Sequence, residues 1–181
     1  ELAVMQQTLL ARNAFTPVII MGRGSEEGDM MGIVTVHDGQ SLPDGEIIAP
    51  YVGEAHASFQ DPESFLELGG KRGKQLQVLT DGTYYINRLF ATVEYRPKTV
   101  VPIGFVGVVV SFYGDEGVDT TGEDYKHGEL VQTGCKGVLE KPLMPGKYAF
   151  NTDAGRVVLV PTTNIILKWN KSESGDHKYD E

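Results

Sequence analysis

The sequence predicts a mainly β chain: two tandem small β-rich modules related by internal duplication, with short helices in the loops. The first observation behind this prediction is compositional. Glycine accounts for 22 of the 181 residues, about 12% against a typical share of about 7%. Nine prolines accompany it. This content favours many short strands joined by tight turns over long helices.

The second observation is a repeat at an offset of 64 residues, which relates residues 70–99 to residues 134–163 without a gap. Nine of these thirty positions are identical, whereas ordinary composition would give about two. The identical pairs are Gly70/Gly134, Gly73/Gly137, Leu79/Leu143, Gly82/Gly146, Tyr84/Tyr148, Asn87/Asn151, Val93/Val157, Pro97/Pro161 and Thr99/Thr163. Such agreement predicts that the two stretches arose by duplication.

Each copy contains a turn signal followed by a strand-like run. The turns are Thr80-Asp81-Gly82 and Met144-Pro145-Gly146. We expect each turn to join two strands in a hairpin, with its glycine at a positive φ. Tyr84 and Tyr148 come two residues later, on one face of the next strand by period-two alternation.

The remaining repeated positions complete the candidate structural residues. Asn87 and Asn151 suit turns in which the side chain bonds the nearby backbone. Pro97 and Pro161 end the strand that follows in each copy. These residues, together with the repeated glycines and tyrosines, are predicted to hold turns and strands, and none is predicted to act catalytically.

A weaker match extends the module towards the N-terminus, because residues 32–36 resemble residues 107–111 at an offset of 75. The difference, 75 − 64, leaves eleven extra residues in the first copy. Residues 61–69 account for most of them and read as a short helix, with Asp at the N-cap, Pro at the first helical position and Gly past the end. Residues 124–130 are a weaker candidate for a one-turn equivalent.

These signals divide the chain into four parts. The predicted parts are an N-terminal helix and strand segment at 1–30, a first β-module at 31–100, a second β-module at 101–169, and a polar tail or linker at 170–181. Within them, we expect a helix at 2–13 and strands at 16–21, 157–160 and 165–169. Because the chain begins at Glu1 without a methionine or signal peptide, we interpret it as a fragment of a larger protein.

Charge and hydropathy argue against several classes of function. The formal net charge is −9 and the pI is near 4.9, which disfavours binding of nucleic acid or anionic lipid through a basic face. The longest apolar run, residues 99–113, contains one proline and two glycines and reads as two short strands rather than a bilayer span. Cys135 is the only cysteine, so it cannot form an internal disulfide, and we interpret it as a bystander thiol.

Motifs that carry chemistry were sought along the whole chain. Gly22, Gly24 and Gly28 approximate a dinucleotide-binding fingerprint, but the following residues read as a strand where that fingerprint needs a helix. The four histidines show neither HxH nor HExxH spacing. No GxSxG motif, P-loop or Cys-His signature is present. The sequence therefore predicts no catalytic residue, no cofactor-binding residue and no metal ligand.

Aromatic side chains could suggest a ligand platform. The candidates are Tyr84, Tyr85, Tyr148 and Trp169. Because no basic residues are interleaved with them, we interpret them as half-buried strand side chains.

Several spaced motifs resemble the segment that leads into the core of bacterial SPFH (band 7) proteins, relatives of flotillin, stomatin and prohibitin. The motifs are IGFVGVV at 103–109, GVLEKPLMPGKY at 137–148 and VPTTNI at 160–165, with FQDPESFLELGG at 59–70 and TYYIN at 83–87 upstream. They occur in order, and the resemblance covers about residues 30–170. Tandem β-modules ahead of a band 7-like domain also resemble the vault shell protein, by analogy alone.

The resemblance implies a non-enzymatic structural or assembly region of a membrane-associated scaffold. It implies self-association through the parent protein and membrane attachment through segments missing here, so that the fragment itself is expected to be soluble. No nucleic acid, small-molecule substrate or cofactor is expected. The alternative is a peptide- or glycan-binding β-module without catalysis, which would use exposed strand edges or aromatic side chains. An enzyme is the third possibility.

Overall fold

A computed structural model describes the chain over residues 17–22, 28–121, 130–163, 168–171 and 177–180. Its strands are β1 Val18–Ile20, β2 Met30–Val36, β3 Gly73–Leu79, β4 Gly82–Tyr84, β5 Ala91–Pro97, β6 Thr99–Val101, β7 Phe105–Ser111, β8 Asp115–Glu116, β9 Leu130–Val131, β10 Cys135–Leu139, β11 Gly146–Tyr148, β12 Gly155–Pro161, β13 Lys168–Lys171 and β14 His177–Asp180. The helix α1 is Pro62–Glu67. Strands account for 45% of the residues and helix for 4%, which confirms the prediction of a mainly β chain.

Two sheets of the same kind follow one another along the chain. In the first, β2 lies between β3 and β5, and in the second β7 lies between β10 and β12; all four pairings are antiparallel. Each sheet is accompanied by a two-stranded antiparallel sheet, β1 with β4 and β6 with β11. The second sheet also has β8 and β9 parallel to β10.

Strand pairing sets the division into modules. Because β1 pairs with β4, residues 17–98 are called the first module here; because β6 pairs with β11, residues 99–163 are called the second module. The predicted tail region contains β14, which pairs with β13. The predicted helix at 2–13 and the one-turn helix at 124–129 lie outside the described residues.

The register of the pairs is the same in both modules. Met30 faces Pro97 in the first module, and Phe105 faces Pro161 in the second. Gly32 faces Leu79 in the same way that Gly107 faces Leu143. In each case the two partners are displaced by 75 and by 64 residues, which are the offsets at which the sequence repeats.

The core is concentrated in the first module. Phe59, Phe65 and Phe90 are at most 5% exposed, and their neighbouring ring centroids lie 5.5–5.6 Å apart. Phe65 belongs to α1, whose N-cap Asp61 accepts a hydrogen bond from the Ser64 backbone N–H at 3.1 Å. The predicted short helix is therefore confirmed. Burying an aromatic side chain of this size contributes about 1.5–3 kcal/mol.

His56 lies inside this aromatic cluster, and sequence reasoning gave it no role. Its side chain is fully buried and stacks on Phe59 at a centroid distance of 4.7 Å. Its Nδ1 accepts a hydrogen bond from the Phe59 backbone N–H at 2.9 Å. The loop reaches this geometry through three consecutive left-handed residues, Ala57, Ser58 and Phe59, with φ of 48°, 56° and 67°.

The hairpin prediction is wrong for both turns. The strand β4 follows β3 but pairs with β1, and β11 follows β10 but pairs with β6. Each turn is a corner that carries the chain from one sheet to the other. The Tyr84 hydroxyl donates to the Thr80 carbonyl at 3.0 Å and the Tyr148 hydroxyl to the Met144 carbonyl at 2.7 Å, which closes each corner across its own turn.

The expected positive φ is present at Gly82, at 156°, and wrong for Gly146, which has no positive φ. Glycine serves a different purpose at the corner. A Cβ at either position would stand 3.3–3.4 Å from the hydroxyl oxygen of the tyrosine two residues on. The absence of a side chain thus leaves room for the ring to lie over the turn.

Two other glycines carry a stronger steric constraint. A Cβ on Gly32 would stand 2.7 Å from Val93 Cγ1 and 2.8 Å from Ile20 Cδ1. A Cβ on Gly107 would stand 2.7 Å from Val157 Cγ1 and 3.0 Å from Val101 Cγ2. The first strand of each module therefore crosses directly over the central strand of its sheet, at a position that only glycine leaves open.

Replacing Gly107 by alanine should overpack this crossing and lower the free energy of unfolding by about 1–3 kcal/mol. Gly146→Ala is the matched control, because its new Cβ would meet no atom closer than 3.4 Å, and it should cost much less. Urea denaturation of the two variants measures the difference. Equal losses would contradict the crossing as the tighter constraint.

Candidate functional site

The structure distributes the predicted structural residues over three kinds of position. Tyr84, Tyr148, Gly82 and Gly146 form the corners, Pro97 and Pro161 end β5 and β12, and Asn87 and Asn151 begin the turns before those strands. Tyr84 and Tyr148 are half-buried and Tyr85 is exposed. The side chain of Trp169 lies outside the described part. Of the predicted residues, Asn151 lies at the junction of the two modules, which is the candidate functional site.

Asn151 joins the second module to the backbone of the first. Its side chain is 4% exposed, and its Nδ2 donates to the carbonyl of Gln75 in β3 at 2.7 Å. Its Oδ1 accepts from the Asp153 backbone N–H at 2.9 Å, which shapes the turn. Asn87 makes the same local bond, with the Leu89 backbone N–H at 2.9 Å. The predicted Asn turn thus has a second purpose in the second module.

Two ion pairs flank this hydrogen bond. Lys74 Nζ lies 2.6 Å from Asp153 Oδ2, and Lys136 Nζ lies 3.2 Å from Glu46 Oε1. All four side chains keep between 23% and 44% of their surface exposed. Pairs in this setting contribute at most about 1 kcal/mol each, so they fix orientation more than they stabilise.

A third set of charges is placed where one module follows the other. Asp29 lies 2.7 Å from Lys98 Nζ and 2.9 Å from Lys147 Nζ, and Lys98 also reaches Asp81 at 2.9 Å. The hydrogen bonds from Lys98 and then Lys147 lower the pKa of Asp29. The bonds to Asp29 and then Asp81 raise the pKa of Lys98. Lys98 is the last residue of the first module, so this network fixes the linker.

A cleft of about 340 Å³ opens beside the ion pairs. The first module contributes Leu42, Pro43, Glu46, Ile48, Pro50 and Lys71, and the second contributes Tyr113, Gly114, Asp115 and Gly134. Burial, and then the charges of Glu46 and Asp115, raise the pKa of the Tyr113 hydroxyl. The hydroxyl is therefore protonated at neutral pH and available as a hydrogen-bond donor.

The described residues contain no group of three or more His, Cys, Asp or Glu side chains placed to hold a metal ion. His37 is exposed, His56 is buried among aromatic rings and Cys135 is a free, part-buried thiol. In the same part of the chain, no helix has the length and apolar character needed to cross a bilayer.

The chain matches no protein-family model, no curated protein and no solved structure. Function therefore has to be argued from the junction itself, from the repeated strand register and from the motifs.

Replacing Asn151 by alanine should leave the buried Gln75 carbonyl without its donor and lower the free energy of unfolding by about 1–3 kcal/mol. Asn87→Ala removes only the corresponding local turn bond, so it is the matched control and should cost less. Chemical denaturation with both variants tests this. A larger loss from Asn87→Ala would show that the turn, and not the contact between modules, is what Asn151 supports.

Acid should weaken the junction through Asp29. Because folding lowers the pKa of Asp29 below its ordinary value of 3.8, its contribution is fully present above that pH and is lost as the pH falls further. Lys98, whose pKa is raised, keeps its contribution up to about its ordinary value of 10.5. Asp29→Asn should therefore lower Tm at pH 7.

The difference in Tm between wild type and Asp29→Asn should shrink below pH 3.8 and also in high salt, which screens the charges. Thermal melts at several pH values and salt concentrations measure it. A difference that stays constant from pH 7 to pH 3 would contradict the ion-pair role of Asp29.

Proposed function

We propose that this chain is a non-enzymatic structural and assembly region of a membrane-associated scaffold protein of the SPFH type, built from two copies of one small β-module. The observation that carries the proposal is the junction. There, one module is seated on the next through a buried Asn151 side chain, two flanking ion pairs and the charges around Asp29. Contacts of this kind are what a modular assembly requires.

Duplication is supported by more than the nine identities. The pairing of β2 with β5 corresponds in register to that of β7 with β12 over seven residues. The two tyrosine corners and the two asparagine turns make the same hydrogen bonds 64 residues apart. Independent origins would have to reproduce strand register, corner and turn together.

The SPFH part of the proposal is supported by where the motifs fall. IGFVGVV covers the turn before β7 and most of that strand, GVLEKPLMPGKY covers the end of β10, its corner and β11, and VPTTNI begins at the end of β12. The resemblance thus follows the elements of one whole module. Membrane attachment and ring formation are assigned to other parts of the parent protein.

The alternative function, a peptide- or glycan-binding module, is favoured by one observation, the cleft of about 340 Å³ at the junction. Its Tyr113 hydroxyl and the acidic Glu46 and Asp115 could meet a ligand that presents hydrogen-bonding or basic groups. Titration of the chain with a basic peptide and with a neutral oligosaccharide, followed by NMR shifts at these residues, tests this function. Saturable shifts there would favour it over assembly.

The assembly function is tested in the full-length parent protein. The wild type should float with membranes and run as a particle much heavier than one chain, whereas Asn151→Ala combined with Asp153→Ala should reduce the mass of the particle. Gly146→Ala is the control and should leave the particle intact. Analytical ultracentrifugation and membrane flotation are the measurements.

Three results would overturn the proposal. One is a full-length protein that is monomeric in wild type, and another is a particle mass unaffected by the double variant. The third is catalysis, shown by a substrate that turns over, or one tightly held zinc per chain whose loss follows a single His or Cys substitution.

A further inference from the structure

We propose that copies of this chain bind one another head to tail, through two outward faces that correspond to the two sides of the junction. This rests on the assembly function proposed above and adds to it the partner and the residues. The docking face is defined by Lys136, Asn151 and Asp153 on the second module, and by Arg72, Asn87 and Leu89 at the same positions of the first. The receiving face is defined by Lys74 and Gln75 on the first module, and by Val138 and Leu139 on the second.

The docking face of the first module keeps the shape of its counterpart. Asn87 Oδ1 accepts from the Leu89 backbone N–H at 2.9 Å, as Asn151 Oδ1 does from Asp153. Its chemistry differs at one point, because Leu89 stands where the second module has Asp153. Leu89 is 81% exposed. An apolar side chain is therefore held outwards by a turn that in the other module docks on a neighbour.

The receiving face of the second module is likewise in register with its counterpart. Val138 pairs with Val110 in β10 and β7, as Lys74 pairs with Thr35 in β3 and β2. Val138 is half-buried and stands where the first module has Lys74. The carbonyl of Leu139 corresponds to the Gln75 carbonyl that receives Asn151.

The two differences match each other. Inside the chain, Lys74 and Asp153 form an ion pair at 2.6 Å. At the corresponding outward positions, both members are apolar, Val138 and Leu89. A change of only one member would bury a charge without a partner. The joint change fits Leu89 of one copy to Val138 of another, while Asn87 still meets a backbone carbonyl.

The geometry also decides what kind of assembly forms. The docking and receiving faces are different surfaces, so the contact is heterologous. Each copy that binds leaves one docking face and one receiving face unused. Copies can therefore add in series, as the modules do within the chain.

Sedimentation velocity of the isolated 181-residue chain over a range of concentrations tests the contact. The wild type should show concentration-dependent association. Leu89→Asp and Val138→Lys should each weaken association by about 10-fold or more, since each places a lone charge in the contact. Circular dichroism checks that both variants remain folded.

The deciding measurement is a mixture of the two variants. Combining Leu89→Asp with Val138→Lys recreates between two chains the ion pair that Lys74 and Asp153 form within one. The mixture should therefore form 1:1 complexes, and salt should weaken them more than it weakens wild-type association.

The matched controls are Leu159→Asp and Val158→Lys, which place the same changes on β12, at the opposite edge of the sheet from β10. Leu159 and Val158 are 43% and 42% exposed. Both controls should associate as the wild type does.

A wild-type chain that stays monomeric up to about 1 mM overturns the head-to-tail contact, since such a contact would then be weaker than about −4 kcal/mol. So does a mixture that fails to form complexes. Either result, with a full-length protein that still assembles, leaves the proposed function standing; loss of assembly in the full-length protein overturns both.

Discussion

The close crossing at Gly32 and Gly107 is the constraint on which the rest of the structure depends. In each module, a short strand lies so near the central strand of the sheet that a Cβ would collide with valine side chains. Ile20 and Val101, the residues that cross there, are at most 3% exposed. The crossing thus brings two small sheets onto one core. The tyrosine corners follow from it, because β4 and β11 must leave one sheet to pair with the crossing strand.

The same constraint explains why the modules need each other. A sheet of three strands with a two-stranded cover encloses little apolar volume, and small units of this size are marginal alone. The first module adds an aromatic cluster around Phe65, packed against Phe90. The second module has Ala154 at the position of Phe90. It therefore buries less of its own and gains support from the junction, where Asn151 and Asp153 are anchored on β3.

Local signals in the sequence predicted local structure well. The helix α1 could be predicted because the cap, the proline and the terminal glycine act within their own turn. The hairpins could not, because Asp-Gly and Pro-Gly fit a corner as well as a hairpin, and strand choice depends on distant residues. The burial of His56 comes from rings that other segments supply. The partner of Asn151 is a backbone carbonyl 76 residues away, which no side-chain pattern marks.

What the two modules share and where they differ have separate physical meanings. The identical positions, such as the crossing glycines, the corner tyrosines and the turn asparagines, build the module and would be required wherever it occurs. The positions at the faces are under a different constraint, because each has to suit the surface opposite. Lys74 with Asp153, and Val138 with Leu89, satisfy that constraint in two ways, one by charge and one by apolar contact. A repeated module with unlike faces can therefore distinguish the neighbour within its own chain from the neighbour on another chain, while its backbone remains the same.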